Sequence, residues 1–243
     1  MSISLAREIE KIEQAEHMKI KTTVFIPQQT SKEIFPLILS SGTDILQKAD
    51  KLKKYNLSLR EVFGLCILST FRSILEPKEN WVFSTEPQIS DDGAVATLGD
   101  HNRITYYESV EQVYLPGHFL KRNLNQSMND YMLGHIFRTK NKGSEYQKNK
   151  SLLILGDIKS ENSSDCFEWQ DFVKKFFTKH TFLHLYFLSL VGRISEYNEY
   201  YLLSFTNQKH RQKLNGEFKF KVKGDGIFDF ECLQRINLLK NSK

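Results

Sequence analysis

Cysteine, tryptophan and proline are scarce in this chain, with three, two and five residues, respectively, among 243. Cys66, Cys166 and Cys232 are far apart and odd in number, which argues against a disulfide framework and against a zinc site of paired cysteines. This usage is typical of a reducing compartment, so we expect a cytoplasmic protein. Long hydrophobic runs are also lacking, since nowhere do about 18 apolar residues follow one another. We therefore expect no membrane span, and the charged N-terminal stretch is not typical of a signal peptide.

Two common nucleotide and hydrolase motifs are missing as well. The sequence has neither a phosphate-binding glycine loop nor a GxSxG elbow, which argues against a P-loop enzyme and against an α/β-hydrolase. What is present is ordinary for a globular protein, with 40% hydrophobic and 26% charged residues. The formal net charge of +5 permits an anionic partner such as nucleic acid.

From Ser58 onward the sequence alternates between helical and strand-like patterns. Ser58 and Glu61 form a capping-box signature that opens a helix, and the stretch from Glu76 to Asn80 ends it. Strands are predicted at 81–85, 94–98, 103–115, 152–155, 182–191, 199–205 and 218–223, and further helices at 123–140 and 166–179. This order predicts an α/β fold with a mixed central sheet flanked by helices.

The pattern divides the chain into a core and two additions. Residues 58–205 are predicted to form the α/β core, residues 1–57 a helical N-terminal extension, and residues 206–243 a β-containing extension that packs on the core. Within the first extension, a helix with one basic side is predicted over residues 44–55. A helical turn is also predicted at residues 31–35, which Pro36 either opens or interrupts.

The strand predicted at 103–115 is unusual because it carries two acids, Glu108 and Glu111. It follows a turn that contains Asp91 and Asp92. An ionised carboxylate is costly to bury, so such an acid lies at a solvent edge, pairs with a base or holds a metal ion. A spacing of three puts Glu108 and Glu111 on opposite faces of a regular strand, so only one of them can face a given site.

The helix, the meander with an acidic turn, the acid-bearing third strand and the following helix and buried strand resemble the PD-(D/E)xK nuclease superfamily, the core of many restriction enzymes. The resemblance spans about residues 58–205 and depends on the segments Ser90-Asp-Asp-Gly93 and Tyr107-Glu-Ser-Val-Glu-Gln-Val113. It implies a restriction-endonuclease-like fold and Mg²⁺-dependent hydrolysis of DNA, in restriction or phage defence. Asp92 and Glu111 would be the catalytic metal ligands. Glu111 is favoured over Glu108 because its neighbours are more apolar.

The chain departs from this family at the motif lysine. Val113 stands two residues after Glu111, where the lysine is usual. Some family members supply it from the following helix, and Lys140 and Lys142 are the candidates here. A favourable charge at a helix C-terminus explains both lysines equally well.

Other assignments stay open. The strand Leu152 to Lys159 ends in Asp157-Ile-Lys159, which would keep the motif literally and replace Glu111 and Lys140. Glu61 could supply a third acid, although its capping position explains it without catalysis. His135 is expected in the core, and a zinc site of His180 and His184 is not, because their spacing on a strand separates them.

The last predicted strand alternates strictly, which puts Lys219, Lys221 and Lys223 on one face. An edge strand protected by lysines is favoured over a nucleic-acid contact. The expected partner is DNA, and a homodimer or a partner subunit is left open. The rival function is a non-catalytic nucleic-acid-binding or protein-interaction module, in which the acids are turn residues and surface charges. Convergence of three acids within about 5 Å would favour the enzyme.

Overall fold

The computed structural model describes residues 24–41, 51–85, 92–115, 128–140, 143–156, 169–194, 196–207, 215–223 and 226–235. The helices are α1 (Pro27–Ser41), α2 (Leu59–Leu75), α3 (Met128–Lys140), α4 (Ser144–Gln147) and α5 (Trp169–Lys179). The strands are β1 (Val24–Phe25), β2 (Lys51–Leu52), β3 (Leu57–Ser58), β4 (Asn80–Ser84), β5 (Ala94–Leu98), β6 (Ile104–Leu115), β7 (Lys150–Gly156), β8 (His184–Ile194), β9 (Tyr197–Thr206), β10 (Gly216–Lys223) and β11 (Gly226–Arg235).

Nine of the described strands form one open sheet in the order β1-β4-β5-β6-β7-β8-β9-β10-β11. Strands β4, β5 and β6 are an antiparallel meander, whereas β6, β7 and β8 run parallel to one another. Parallel neighbours need a crossover, and α3 and α5 lie in the two connections. The remaining pairs are antiparallel, so the predicted mixed sheet is confirmed and is mostly antiparallel.

Helices cover both faces of the sheet. Side chains of α1 and α2 pack with one face in a core that includes Phe35, Phe63, Leu153 and Phe220. Side chains of α3 and α5 pack with the other face in a second core that includes Ile136 and Phe176. The parallel strands are therefore apolar on both sides, as the unbroken run Leu152 to Leu155 predicts.

Helix α2 begins where the capping box predicts. Ser58 accepts a hydrogen bond from the backbone N–H of Glu61, and the Glu61 carboxylate accepts one from the Ser58 N–H at 2.7 Å. Two N–H groups at the helix start are thereby satisfied within the helix itself. No helix in the described part of the chain is long and apolar enough to cross a membrane.

Three local predictions are wrong. Residues 51–58 form a short hairpin, not the end of a helix, and Pro36 lies inside the continuous helix α1. Strand β10 is not an edge strand, because β9 pairs with one side of it and β11 with the other. The two strand pairings depend on contacts between segments of the chain, so the pattern of residues within one segment did not indicate them.

Candidate active site

Strand β6 presents its two acids to opposite faces of the sheet. Glu111 lies on the face covered by α3 and α5, in line with Val113 and Leu115 of that core. Glu108 lies on the face covered by α2, in line with Val110. Both carboxylates are fully buried. The spacing argument for the strand is thus confirmed, and each acid has a different set of partners.

Asp92 is held next to Glu111 by the backbone of β6. Its Oδ2 accepts a hydrogen bond from the N–H of Gln112 at 2.7 Å. The following residue, Gly93, has a φ of 132°, a conformation that other residues rarely adopt, and its carbonyl accepts the N–H of Val110. A β-carbon at Gly93 would lie 2.4 Å from a methyl group of Leu65. This turn needs glycine, and it directs Asp92 towards β6.

Lys140, at the end of α3, joins the two acids. Its Nζ lies 2.7 Å from Asp92 Oδ2 and 2.7 Å from Glu111 Oε2. Its side chain is only 14% exposed. Burial alone would lower the pKa of Lys140, but the two carboxylates outweigh it and hold this pKa above its ordinary value. The structure therefore brings together the two acids and the lysine that the resemblance implies.

Two further residues contact Glu111 and were missed from the sequence. The Tyr146 hydroxyl of α4 donates a hydrogen bond to Glu111 Oε1. Lys150, the first residue of β7, places its Nζ 3.7 Å from the same oxygen and 3.8 Å from the centre of the Tyr146 ring. A lysine at the start of a buried strand was the available signal, but its nearness to Glu111 depends on the parallel pairing of β7 with β6.

The side chain of Gln147 contacts two other segments of the chain near the site. Its buried side chain lies 2.9 Å from His180 Nδ1, and its Oε1 accepts the N–H of Thr181 at 2.9 Å. Its Nε2 also lies 3.5 Å from the carbonyl of Lys140. The amide thereby links α4 to the end of α3 and to the connection between α5 and β8. Both Lys140 and Tyr146 are anchored by this arrangement.

The donor set fits a hard divalent cation. The Asp92 and Glu111 oxygens contact one ammonium at 2.7 Å, so a single cation can be shared between them. Mg²⁺ is typically bound by one or two carboxylates, with water and substrate phosphates completing its coordination. Within the described residues, no group of three or more histidine, cysteine or acidic side chains could hold a metal ion. The three-acid convergence that we set as a criterion is therefore not met by those residues.

Glu108 belongs to a buried polar network on the other face. It accepts hydrogen bonds from Tyr106 at 2.7 Å and from Ser151 at 2.5 Å, and Arg72 Nη1 lies 3.7 Å away. His184 Nε2 is 3.8 Å away. Burial alone would raise the pKa of Glu108, but these basic and hydroxyl partners outweigh it and keep this pKa below its ordinary value. Glu108 therefore has a structural explanation and lies on the opposite face of the strand from Glu111.

Of the remaining candidate site residues, some have a structural role and others lie outside the described part of the chain. Glu61 is engaged in the capping box, as above. Asp91, Lys142, Asp157 and Lys159 lie outside the described residues. In β10, Lys219 forms an ion pair with Glu199, and Lys221 Nζ lies 2.9 Å from Asp229.

His180 and His184 have different hydrogen-bond partners. His180 contacts Gln147, and His184 Nδ1 lies 3.0 Å from the hydroxyl of Thr206. Burial lowers the pKa of His180. His135 is only partly buried, and burial also lowers its pKa.

Compared with known proteins, the chain matches no family model, no curated protein and no solved structure.

Proposed function

We propose that this protein is a metal-dependent endonuclease that hydrolyses phosphodiester bonds of DNA. The observation that carries the proposal is the convergence of Asp92 and Glu111, from the meander, on the ammonium of Lys140 at 2.7 Å each. Two acids and one lysine are the residue types that this chemistry needs, since a cation must be held and a phosphate charge neutralised. Restriction or phage defence is the role that this activity would serve.

The order of elements supports the same proposal. Helix α2, the meander β4-β5-β6, helix α3 and the parallel strand β7 follow one another as in the PD-(D/E)xK resemblance. The lysine would come from the helix after the acid-bearing strand. Its ammonium reaches both acids from α3, so Val113 at the usual lysine position does not leave the site without a positive charge.

The reaction consumes one water, whose oxygen bonds to phosphorus while the ester P–O bond breaks and the leaving sugar oxygen takes a proton. A bound Mg²⁺ would supply an activated water and would stabilise the charge on the phosphoryl oxygens. Asp92 and Glu111 would hold it, and Tyr146 would fix the orientation of the Glu111 carboxylate by its hydrogen bond. The ammonium of Lys140 would donate to a phosphate oxygen.

Cleavage of supercoiled plasmid DNA in Mg²⁺ tests this function. We expect Asp92→Asn and Glu111→Gln each to lower the rate by at least about 100-fold, because each removes a charge that acts on the transition state. Asp100→Asn is the matched control, since Asp100 is an exposed acid in the turn between β5 and β6. Unchanged cleavage by both site variants, or no cleavage by the wild type, would contradict the proposal.

A non-catalytic binding module is the second candidate. It is favoured by the ion pairs themselves, because Lys140 already pairs with both acids and the described residues contribute no third acid. On this alternative the wild type binds DNA but cleaves none in Mg²⁺ or Mn²⁺, and substitution of Asp92 lowers stability only. Purified wild-type protein assayed with both ions separates the two functions.

A further inference from the structure

A second lysine stands beside the acid pair, at the carboxylate oxygen that Lys140 does not contact. Lys150 Nζ lies 3.7 Å from Glu111 Oε1, whereas Lys140 contacts Oε2. Lys150 lies on the same sheet face as Glu111, because the parallel register aligns Ser109 with Lys150 and Glu111 with Leu152. Its side chain is 15% exposed, about as much as the 14% of Lys140.

Lys150 approaches a carboxylate that already accepts two hydrogen bonds. Oε2 accepts from Lys140 and Oε1 accepts from the Tyr146 hydroxyl. A separation of 3.7 Å exceeds hydrogen-bond length, so the attraction between Lys150 and Glu111 is one of charge. The face of the Tyr146 ring, 3.8 Å from Nζ, supports the ammonium from another side. The charge of Glu111 and the ring of Tyr146 thus both attract this ammonium.

The charges of the site point to an anion as the ligand of this ammonium. Asp92 and Glu111 carry two negative charges, and Lys140 and Lys150 carry two positive charges. Once a divalent cation balances the two carboxylates, both ammonium charges are left in excess. A phosphodiester carries one negative charge, which grows as the ester bond breaks. The site is then electrostatically complementary to a phosphate group.

We propose that Lys150 binds a non-bridging phosphate oxygen of the DNA backbone, next to the bond that is cleaved. This inference rests on the proposed function and assigns to the same site a second phosphate-binding lysine. Lys140 and Lys150 then contact the phosphate from the two sides of Glu111. Tyr146 would support both residues, because its hydroxyl orients Glu111 while its ring positions Lys150.

DNA binding without cleavage tests this assignment. The probe is a fluorescein-labelled DNA duplex, titrated with the full chain in Ca²⁺ at several salt concentrations and followed by fluorescence anisotropy. For Lys150→Met we expect a Kd about five- to tenfold higher at low salt, and a plot of log Kd against log salt whose slope is smaller by about one. Lys150→Arg should restore most of both quantities.

Lys148→Met is the matched control, because it removes the same charge from an exposed lysine two residues away. It should keep the wild-type slope. Lys150→Gln keeps a polar side chain and replaces the Met variant if that protein does not fold. A Lys150 variant with the Kd and slope of Lys148→Met would overturn the proposal, because Lys150 would then only balance the charge of Glu111.

The two proposals fail in different ways. Cleavage by the wild type with no change of slope in Lys150→Met rejects the phosphate contact and keeps the nuclease function. A reduced slope with no cleavage by the wild type supports the phosphate contact and rejects the nuclease function.

Discussion

The ammonium of Lys140 stands where a shared divalent cation would be held. It contacts one oxygen of Asp92 and one of Glu111 at the same distance of 2.7 Å, and each is a charge-assisted hydrogen bond. A cation that binds both carboxylates must therefore displace this ammonium. On the proposed function, the lysine would act in two opposite ways. It would weaken cation binding while it lies between the acids, and it would stabilise the phosphate when it turns towards it.

Replacing Lys140 should separate these two effects. In Lys140→Met we expect the Kd for Mn²⁺ to fall at least about tenfold, because a hydrogen bond between charged groups contributes about 1.5–3 kcal/mol. DNA cleavage should fall in the same variant. Calorimetric titration with Mn²⁺ measures the first effect. Lys179→Met, at an exposed position in the last turn of α5, is the control, and unchanged or weaker Mn²⁺ binding by Lys140→Met would contradict the competition.

Glu108 should govern stability in acid. Its pKa is lowered in the folded protein, so its contribution is fully present above its ordinary pKa of 4.5 and is lost as the pH falls through the lower folded value. Glu108→Gln removes one of the two carboxylates that pair with the buried Arg72, the other being Glu76 at 3.5 Å, and we expect a loss of about 3 kcal/mol at pH 7. Urea unfolding at pH 7 and below pH 4 measures it, with the exposed Glu231→Gln as control. A loss that does not shrink in acid would refute this explanation.

The sequence predicted individual residues well where the argument was local. The period of a strand separates Glu108 from Glu111, and the structure confirms that separation. Tyr146 and Lys150 were missed because their contacts with Glu111 arise from pairing between segments about forty positions apart, which no local pattern encodes. Glu108 also has basic partners in α2 and β8 and a hydroxyl partner in β7, and the local sequence pattern did not indicate these contacts either.

At the scale of elements, α2 and β6 approach closely at a glycine. A β-carbon at Gly64 would lie 2.4 Å from the amide oxygen of Gln112 and 2.7 Å from a methyl group of Leu153. Gln112 also donates from its side chain to the carbonyl of Glu61 at 3.1 Å, and its backbone holds Asp92. The position of α2 is therefore coupled to the site through the residue that follows Glu111.

Two helical glycines give a matched test of this packing. Gly64→Ala should lower the free energy of unfolding by about 1–3 kcal/mol, because the added methyl group overfills the contact with β6. Gly134→Ala, in α3, should be neutral or stabilising by up to about 1 kcal/mol, since its nearest neighbour would be the tip of Arg138 at 3.4 Å. Thermal unfolding compares the two. Equal effects would show that α2 does not depend on close approach here.

Helices and strands were predicted correctly where the sequence carries a strong local pattern. The predictions failed where pairing between strands determines the structure. The capping box predicts the start of α2, the β-branched and aromatic residues predict β6, and strict alternation predicts β10. Residues 51–58 carry apolar positions at helical spacing, yet the short β2-β3 hairpin forms there. The interior position of β10 follows from its pairing with β11, in which strict alternation is limited to the five residues Phe228 to Cys232.

At the scale of the whole molecule, the lysines of β10 share a sheet face with the site. The register aligns Lys219 with Tyr201, Ser189, Gly156 and finally Leu115 of β6, on the Glu111 face. Four strand spacings separate β10 from β6, which is about 19 Å. Acids pair with Lys219 and Lys221, so a strong phosphate contact along β10 is not expected.

The triple variant Lys219→Met/Lys221→Met/Lys223→Met tests this expectation. In a plot of log Kd for duplex DNA against log salt concentration, the slope of this variant should differ from the wild-type slope by less than about one. The reason is that Glu199 and Asp229 offset two of the charges removed. Anisotropy titrations in Ca²⁺ measure it. A slope smaller by about three would show instead that all three lysines contact phosphates, and would make β10 part of the DNA-binding surface.

The central claim is that Asp92 and Glu111 together hold one catalytic divalent cation, and calorimetric titration with Mn²⁺ tests it most directly. The wild type should bind the ion, and Asp92→Asn and Glu111→Gln should each abolish binding. The double variant should lose no more than either single variant, since both residues serve one ion. No binding by the wild type, or wild-type affinity in both single variants, would contradict the account.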